Sequence, residues 1–206
     1  MSADPVRTDK GLDRLVFFSD AVVAIALTLV MLPLVDEARD LDGKSVAEFL
    51  GDDSAGFIAA AISFVVIGAF WRDHHRLFEH ATGYTPLLLR ANLLWLAGVV
   101  FLPVATVLYV AAGEGDRAAI ALYLGTVAFT MLMTRIEEVI LGRSGLRVGG
   151  PMTPTEVWTE AVPLILIVVA LAVALAVPDL GLWPVLILPL ARPISRATRE
   201  FVGRPG

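Results

Sequence analysis

The sequence predicts an all-α integral membrane protein, and three observations carry that prediction. Hydrophobic residues make up 57% of the 206 residues, only 18% are charged, and the mean hydropathy is +0.75. Soluble globular domains are nearer one quarter charged. The apolar residues also form runs that approach the roughly 20 residues that a helix needs to cross a bilayer. Finally, if those runs are membrane spans, the basic residues segregate to one side of the membrane.

Six apolar segments are predicted to be transmembrane helices of one domain, residues 1–206. They lie at about 15–35, 55–72, 88–112, 117–141, 157–177 and 180–194. The second could continue as a helix toward His80. The sixth is short, and its three prolines (Pro184, Pro189 and Pro193) would interrupt the helical hydrogen bonds. A kinked or tilted short helix packed against its neighbours is the form expected there.

The basic residues are distributed unevenly between the two sides of these spans. With a cytoplasmic N-terminus, thirteen of the 16 Lys and Arg residues lie in cytoplasmic segments, and only Arg39, Lys44 and Arg117 lie outside. The outer segment from Asp36 to Asp53 is instead rich in carboxylates. Because positive residues accumulate on the cytoplasmic side, both termini are predicted to lie inside, which requires an even number of spans.

Several function classes find no support in the sequence. The chain has no cysteine, which excludes disulfides, thiolate catalysis and cysteine metal sites. It contains no Gly-rich phosphate loop, nucleophile elbow or metalloprotease motif. The protein is therefore predicted not to be an enzyme, to need no cofactor and to bind no nucleic acid.

The first span opens with a charged and hydroxylated cluster, which contains Arg14, Ser19 and Asp20. Ionisable groups near or within membrane spans are costly, so they usually pair with other protein groups. The second span ends with Trp71 and His74 at the same predicted depth, and the third begins near Asn92. We expect Asp20 to accept a hydrogen bond from His74 or Asn92, and Arg14 to stack on Trp71.

Two other interpretations of the polar residues at this end were weighed. A metal site would use the acidic and imidazole groups Asp73, His74, His75, Glu79 and His80. Neighbouring residues diverge on a helix, so His74 and His75 cannot both face one ion, and no metal site is predicted. A proton relay through Asp20 and His74 stays open, since histidine titrates near neutral pH.

The later part of the first span is apolar. Ile25, Leu29 and Leu32 share one helical face, with Thr28 beside them. Such a stripe ordinarily packs against other helices or lipid, although apolar rings can also form a constriction in a pore. In the fourth span, Glu137 and Glu138 are predicted to form a solvated helix end.

A set of motifs resembles the transmembrane protein 175 family. The set consists of Arg14-x-x-x-Phe18-Ser19-Asp20 followed by "AVVAIALTLVML", then Trp71-x-x-His74, Asn92 and "FLPVATVLY". Members of that family are endosomal and lysosomal potassium channels in animals, with single-repeat homologues in bacteria and archaea. The resemblance implies six spans per subunit and a homotetramer around the first helix, without the re-entrant loop of ordinary potassium channels.

The resemblance also implies roles for particular residues. The narrowest pore position falls on Ile25, further constrictions fall on Leu29 and Leu32, and the threonine linked to potassium preference falls on Thr28. The family's polar network within each subunit falls on Arg14, Ser19, Asp20, Trp71, His74 and Asn92.

The function predicted in this way is passive potassium-selective cation permeation, with K⁺ as the permeant ion and lipid and other copies of the chain as partners. The predicted location is the bacterial plasma membrane. The alternative is a proton-permeable channel or proton-coupled transporter that uses Asp20 and His74. Two residues depart from the family pattern: Asp73, and Pro33, which is expected to end the first helix early.

Overall fold

The described part of the protein is helical. The computed structural model describes residues 9–39, 43, 45–52, 54–113, 115–150 and 152–190. Its α-helices are α1 (Asp9–Leu29), α2 (Leu32–Arg39), α3 (Val46–Asp52), α4 (Ser54–Glu79), α5 (Pro86–Ala112), α6 (Arg117–Arg143) and α7 (Pro154–Ala176). Within these ranges the β-structure is limited to an isolated bridge between Ala81 and Arg147.

Five segments of the described chain are long and apolar enough to cross a membrane. They are Lys10–Arg39, Ser54–Glu79, Pro86–Ala112, Arg117–Arg143 and Pro154–Ala176. Each contains or closely overlaps one of the first five predicted spans. The second runs on to Glu79, as the sequence allowed, because residues 73–79 hold neither proline nor glycine to end the helix.

The sixth predicted span, 180–194, is not confirmed as an α-helix. The chain there forms short 3₁₀ turns, Pro178–Leu180 and Trp183–Leu190, and residues 191–194 lie outside the described residues. Pro184 and Pro189 have no backbone N–H to donate to a carbonyl four residues earlier. An uninterrupted α-helix is therefore disfavoured in this segment.

The first predicted span is broken near its end. α1 ends at Leu29, and α2 begins at Leu32 after a turn. The break precedes Pro33, whose ring would collide with the carbonyl of Leu29 in a continuous helix and which has no N–H for that carbonyl. Within the turn, the N–H of Met31 instead bonds the carbonyl of Thr28 at 3.1 Å. The expectation that Pro33 ends the helix early agrees with this geometry.

Beside a smaller apolar cluster near the start of α1, the long helices pack around a main apolar core. α5 is its central element, contacting α1, α4 and α6, while α7 packs against α6 and the 3₁₀ segment. Toward one end of the core, three buried hydroxyls join α4, α5 and α6: Ser63 Oγ lies 2.8 Å from Thr106 Oγ1 and 3.0 Å from Tyr123 Oη. Because these hydroxyls must meet to form their hydrogen bonds, they fix how α4, α5 and α6 are aligned along an otherwise apolar contact.

α5 and α6 pack tightly at a glycine on α5. A methyl group at Gly98 would collide with Thr130 Oγ1 and would lie 3.2 Å from Cδ1 of Phe129. Gly98→Ala is therefore expected to lower the free energy of unfolding by about 1–3 kcal/mol, the usual cost of overpacking. The measurement is thermal unfolding of the purified protein in detergent.

Gly125→Ala is the matched control for this substitution. A Cβ at Gly125 would meet no described atom within 4 Å. Because alanine favours a helix over glycine by up to about 1 kcal/mol, this variant should be as stable as the parent protein or more stable. Equal melting temperatures for Gly98→Ala and Gly125→Ala would contradict the proposed collision.

Candidate functional site

A line of buried hydrogen bonds joins the middle of α1 to α4 and α5. Ser19 Oγ donates to the carbonyl of Leu15 at 2.9 Å, and Asn92 Nδ2 donates to Ser19 Oγ at 2.9 Å. Asn92 Oδ1 in turn lies 2.9 Å from His74 Nε2. Ser19, His74 and Asn92 are all buried, so these bonds replace water as the partners of their polar atoms.

The donor and acceptor in each of these hydrogen bonds follow from the chemistry of the atoms. Ser19 has one proton, which it gives to Leu15, so its oxygen accepts from the Asn92 amide nitrogen. The Asn92 carbonyl oxygen can only accept, and therefore His74 carries a proton on Nε2. His74 Nδ1 has no partner among the described residues. The ring is held between aromatic neighbours, with its centroid 4.2 Å from Trp95 and 4.5 Å from Phe78.

Asp20 belongs to a second, exposed contact. Trp71 Nε1 donates to Asp20 Oδ1 at 3.0 Å, and the Trp71 ring stacks on His75 with centroids 5.5 Å apart. The expected hydrogen bond from His74 or Asn92 to Asp20 is therefore wrong. His74 and Asn92 satisfy each other because the buried side of α1 presents Ser19, while Asp20 lies one residue further round the helix.

The predicted stacking of Arg14 on Trp71 is also wrong. Arg14 is exposed, and within the described ranges its side chain makes no hydrogen bond or ion pair. The indole that it was expected to cover is occupied by His75 instead. His74 is buried while His75 is exposed, which is the divergence expected of neighbours on a helix.

α1 has one face in the core and an apolar face outside it. Val23 and Ala26, together with Val30 directly after the helix, lie in the core and are each no more than 2% exposed. Ile25 and Leu29, on the other side, are 57% and 41% exposed, and Leu32 at the start of α2 is 46% exposed. This uncovered face of Ile25, Leu29 and Leu32 is termed the outer stripe. The single chain thus leaves exposed a surface that water does not favour.

Thr28 is exposed beside the outer stripe, and its hydroxyl has a defined orientation. Thr28 Oγ1 donates to the carbonyl of Ile25 at 2.7 Å. Its proton therefore points back along the helix, and the oxygen's remaining lone pairs are left toward the exposed side. Such an oxygen can accept a hydrogen bond from water or coordinate a cation.

Glu137 shows an error in the sequence interpretation. It was predicted to be part of a solvated helix end, but it is 0% exposed and neither carboxyl oxygen has a partner among the described residues. The nearby cation, Arg135, bonds Glu138 at 2.7 Å and Glu160 on α7 at 3.0 Å instead. Glu137 shares the core-facing side of α6 with Thr134 and Leu141, which are also buried, and Glu138 lies one residue further round the helix.

Glu137→Gln should raise the melting temperature of the protein. A carboxylate buried without a partner either loses its hydration or must take up a proton to become neutral, and the amide of the same shape avoids this cost because it carries no charge. Thermal unfolding at pH 7 measures the change. Glu138→Gln, which breaks a bond to Arg135, is the comparison and should lower the melting temperature. A fall for Glu137→Gln as large as that for Glu138→Gln would contradict the interpretation.

The described residues contain no group of three or more His, Cys, Asp or Glu side chains that could hold a metal ion. The described helices are apolar, and the first is held by the buried line of Ser19, Asn92 and His74, termed the polar anchor. The outer stripe stays uncovered on the opposite side of that helix. These features define a multi-span membrane protein whose first helix is held by buried hydrogen bonds.

The comparisons with known proteins are more specific. Residues 14–103 match the family described as "Endosomal/lysosomal potassium channel TMEM175". The matched region includes the polar anchor, the outer stripe and most of α5. The chain belongs to this family, which is a family of ion channels and not of enzymes.

Curated relatives carry two kinds of channel name. A protein named as a potassium channel from Chryseobacterium sp. (strain P1-3) is 31% identical over 133 residues, which cover 64% of this chain and 66% of that protein. A second, from Streptomyces collinus, is 31% identical and covers 58% of this chain and 56% of its own length. Human TMEM175, named as an endosomal/lysosomal proton channel, is 34% identical over 45% of this chain and 20% of that protein.

Proposed function

We propose that this protein is a potassium-selective cation channel in which K⁺ passes through a pore lined by α1. The observation that carries the proposal is the outer stripe: a core-facing side holds the helix in place, while Ile25 and Leu29 remain exposed on the other side. The names of the two bacterial relatives support the choice of potassium.

The pore requires several copies of the chain. One helix face cannot enclose a path for ions, so the stripes of separate subunits must meet around an axis. The proposed assembly is a homotetramer, with rings of Ile25, Leu29 and Leu32 as successive hydrophobic constrictions. Such rings can gate a pore because water leaves a narrow apolar segment. Thr28, whose oxygen has free lone pairs beside the stripe, is the proposed contributor to potassium preference.

The proposed orientation places the start of α1 in the cytoplasm of a bacterium, with the protein in the plasma membrane. The segment 180–194 would complete a sixth crossing, so that both termini lie on the same side. That arrangement is supported by four arginines near the C-terminus, because basic residues collect on the cytoplasmic side. They are Arg192, Arg196, Arg199 and Arg204. The polar line from Ser19 to His74 then anchors the first span, Lys10–Arg39, in its cytoplasmic third.

Ion flux into proteoliposomes tests the proposal, with potassium, sodium and proton gradients imposed separately. Potassium flux should exceed sodium flux, and lipid vesicles without protein give the background. Absence of potassium flux alongside robust proton flux would contradict the potassium proposal.

That last result is the one expected of the alternative function, a proton-permeable channel or proton-coupled transporter. It is favoured by the proton-channel names of the vertebrate relatives and by the partly exposed position of Asp20 beside Trp71 and His75. Asp20→Asn keeps an acceptor for Trp71 but removes the titrating group. In the alternative, this variant loses proton flux, whereas in the potassium proposal potassium flux is retained.

A further inference from the structure

A shallow apolar groove lies between α5 and α6 on the side turned away from the core. Its volume is about 430 Å³, and small and aromatic residues line it: Ala97, Gly98 and Phe101 on α5, and Ala121, Gly125 and Phe129 on α6. The Thr126 hydroxyl at its wall donates to the carbonyl of Leu122, at 2.7 Å. The surface therefore offers no free hydroxyl donor there and suits a hydrocarbon occupant.

The groove exists because a side chain is missing. A Cβ at Gly125 would have no described atom within 4 Å, so the space above this glycine is open. Phe101 and Phe129 are both partly exposed and flank the opening. On α5 the groove lies at the middle of a helix of 27 residues. If α5 crosses the bilayer, the groove is close to the bilayer midplane.

Two arginines lie on the same surface toward one end of the bundle. Arg90 precedes Ala97 by seven residues, and Arg143 follows Phe129 by fourteen, so each arginine shares a helical face with the groove. α5 and α6 follow each other through a short connection and run antiparallel, which brings both arginines to the same end. Both are exposed, and in the part of the chain that the structure describes neither makes an ion pair or a side-chain hydrogen bond.

The spacing matches the depth of one bilayer leaflet. At 1.5 Å per residue, Arg90 lies roughly 10 Å along the axis from Ala97 and roughly 17 Å from Phe101. Half of the hydrocarbon core is about 15 Å thick. A lipid whose head group contacts Arg90 would therefore place the end of an acyl chain in the groove.

We propose that this surface is a binding site for an anionic phospholipid from the leaflet nearest the start of α1, with its phosphate at Arg90 and Arg143 and an acyl chain in the groove. Arginine pairs well with phosphate oxygens, and basic surfaces near helix ends recognise anionic head groups. A second copy of the chain is a less favourable occupant. If it packed symmetrically on this surface, it would bring its own Arg90 and Arg143 close to those of the first copy, and the like charges would repel.

Native mass spectrometry of the purified full-length protein in detergent tests the site. The probes are dioleoylphosphatidylglycerol, which is anionic, and dioleoylphosphatidylcholine, which is zwitterionic. The parent protein should bind the anionic lipid more tightly. Arg90→Gln should weaken that binding roughly fivefold, the effect of about 1 kcal/mol per arginine, and leave the zwitterionic lipid unaffected. Gly125→Leu places a side chain in the open space of the groove and should weaken binding of both lipids.

Arg117→Gln is the control for charge, since Arg117 is exposed at the opposite end of α6, and it should bind both lipids as the parent does. Equal affinity of the parent for the two lipids would overturn the proposal, as would unchanged binding in both Arg90→Gln and Gly125→Leu. A change of oligomeric state in Gly125→Leu would overturn it in favour of a subunit contact. A truncated protein without residues 191–206 provides a further check. If it binds both lipids more tightly than the parent does, that segment is the occupant of the groove and the proposal is overturned.

Discussion

Replacing Ile25 with alanine is expected to raise potassium flux through the reconstituted protein about tenfold, or to relax the preference for potassium over sodium. Ile25 is the most exposed residue of the outer stripe, and in a ring of subunits it would narrow the path for ions. A shorter side chain lets the constriction hold water and lowers the barrier to ions. A tenfold change corresponds to a barrier lower by about 1.4 kcal/mol. Flux into proteoliposomes under a potassium gradient measures the effect.

The control for this variant is Ile165→Ala. Ile165 lies on α7 and is 48% exposed, so the same atoms are removed from another uncovered helix face. This variant should conduct as the parent protein does. If Ile25→Ala matches Ile165→Ala in flux and in ion preference, Ile25 does not lie at a constriction and the assignment of α1 as the pore helix is wrong.

Replacing Asn92 with leucine should produce the largest loss of stability at the polar anchor. Leucine has a similar size but cannot bond either neighbour, so Ser19 Oγ loses a donor and His74 Nε2 loses its acceptor in the buried interior. Each buried group left without its partner costs about 1–3 kcal/mol. The variant should unfold at a markedly lower temperature in detergent and yield less assembled protein.

Trp71→Phe is the comparison for this substitution. It removes the exposed hydrogen bond from Trp71 to Asp20 and keeps an aromatic ring that can stack on His75. Because water can replace that bond, its loss should cost less than about 1 kcal/mol. Equal destabilisation by Asn92→Leu and Trp71→Phe would show that the buried line contributes no more to stability than the exposed contact.

The sequence alone was sufficient for the class of the protein and for most of its spans. Runs of about twenty apolar residues predict membrane helices because the bilayer imposes their length, and the first five spans agree with the structure. The break before Pro33 was also predictable, since proline acts on its own helix regardless of tertiary contacts. The family motif directed attention to Ser19, His74 and Asn92 before any geometry was known.

Which polar groups meet depended on the tertiary structure. Asp20 and Ser19 are neighbours in sequence, yet Ser19 enters the buried line and Asp20 bonds Trp71, because a rotation of about 100° per residue separates their directions on the helix. The same rotation buries Glu137 between helices and leaves Glu138 beside Arg135. Periodicity gives relative directions on one helix, but the partner that each direction faces is fixed only when the helices pack. Composition and the local effects of proline therefore determined the helices and the class of membrane protein. Packing decided the hydrogen-bond partners, the outer stripe and the open groove at Gly125.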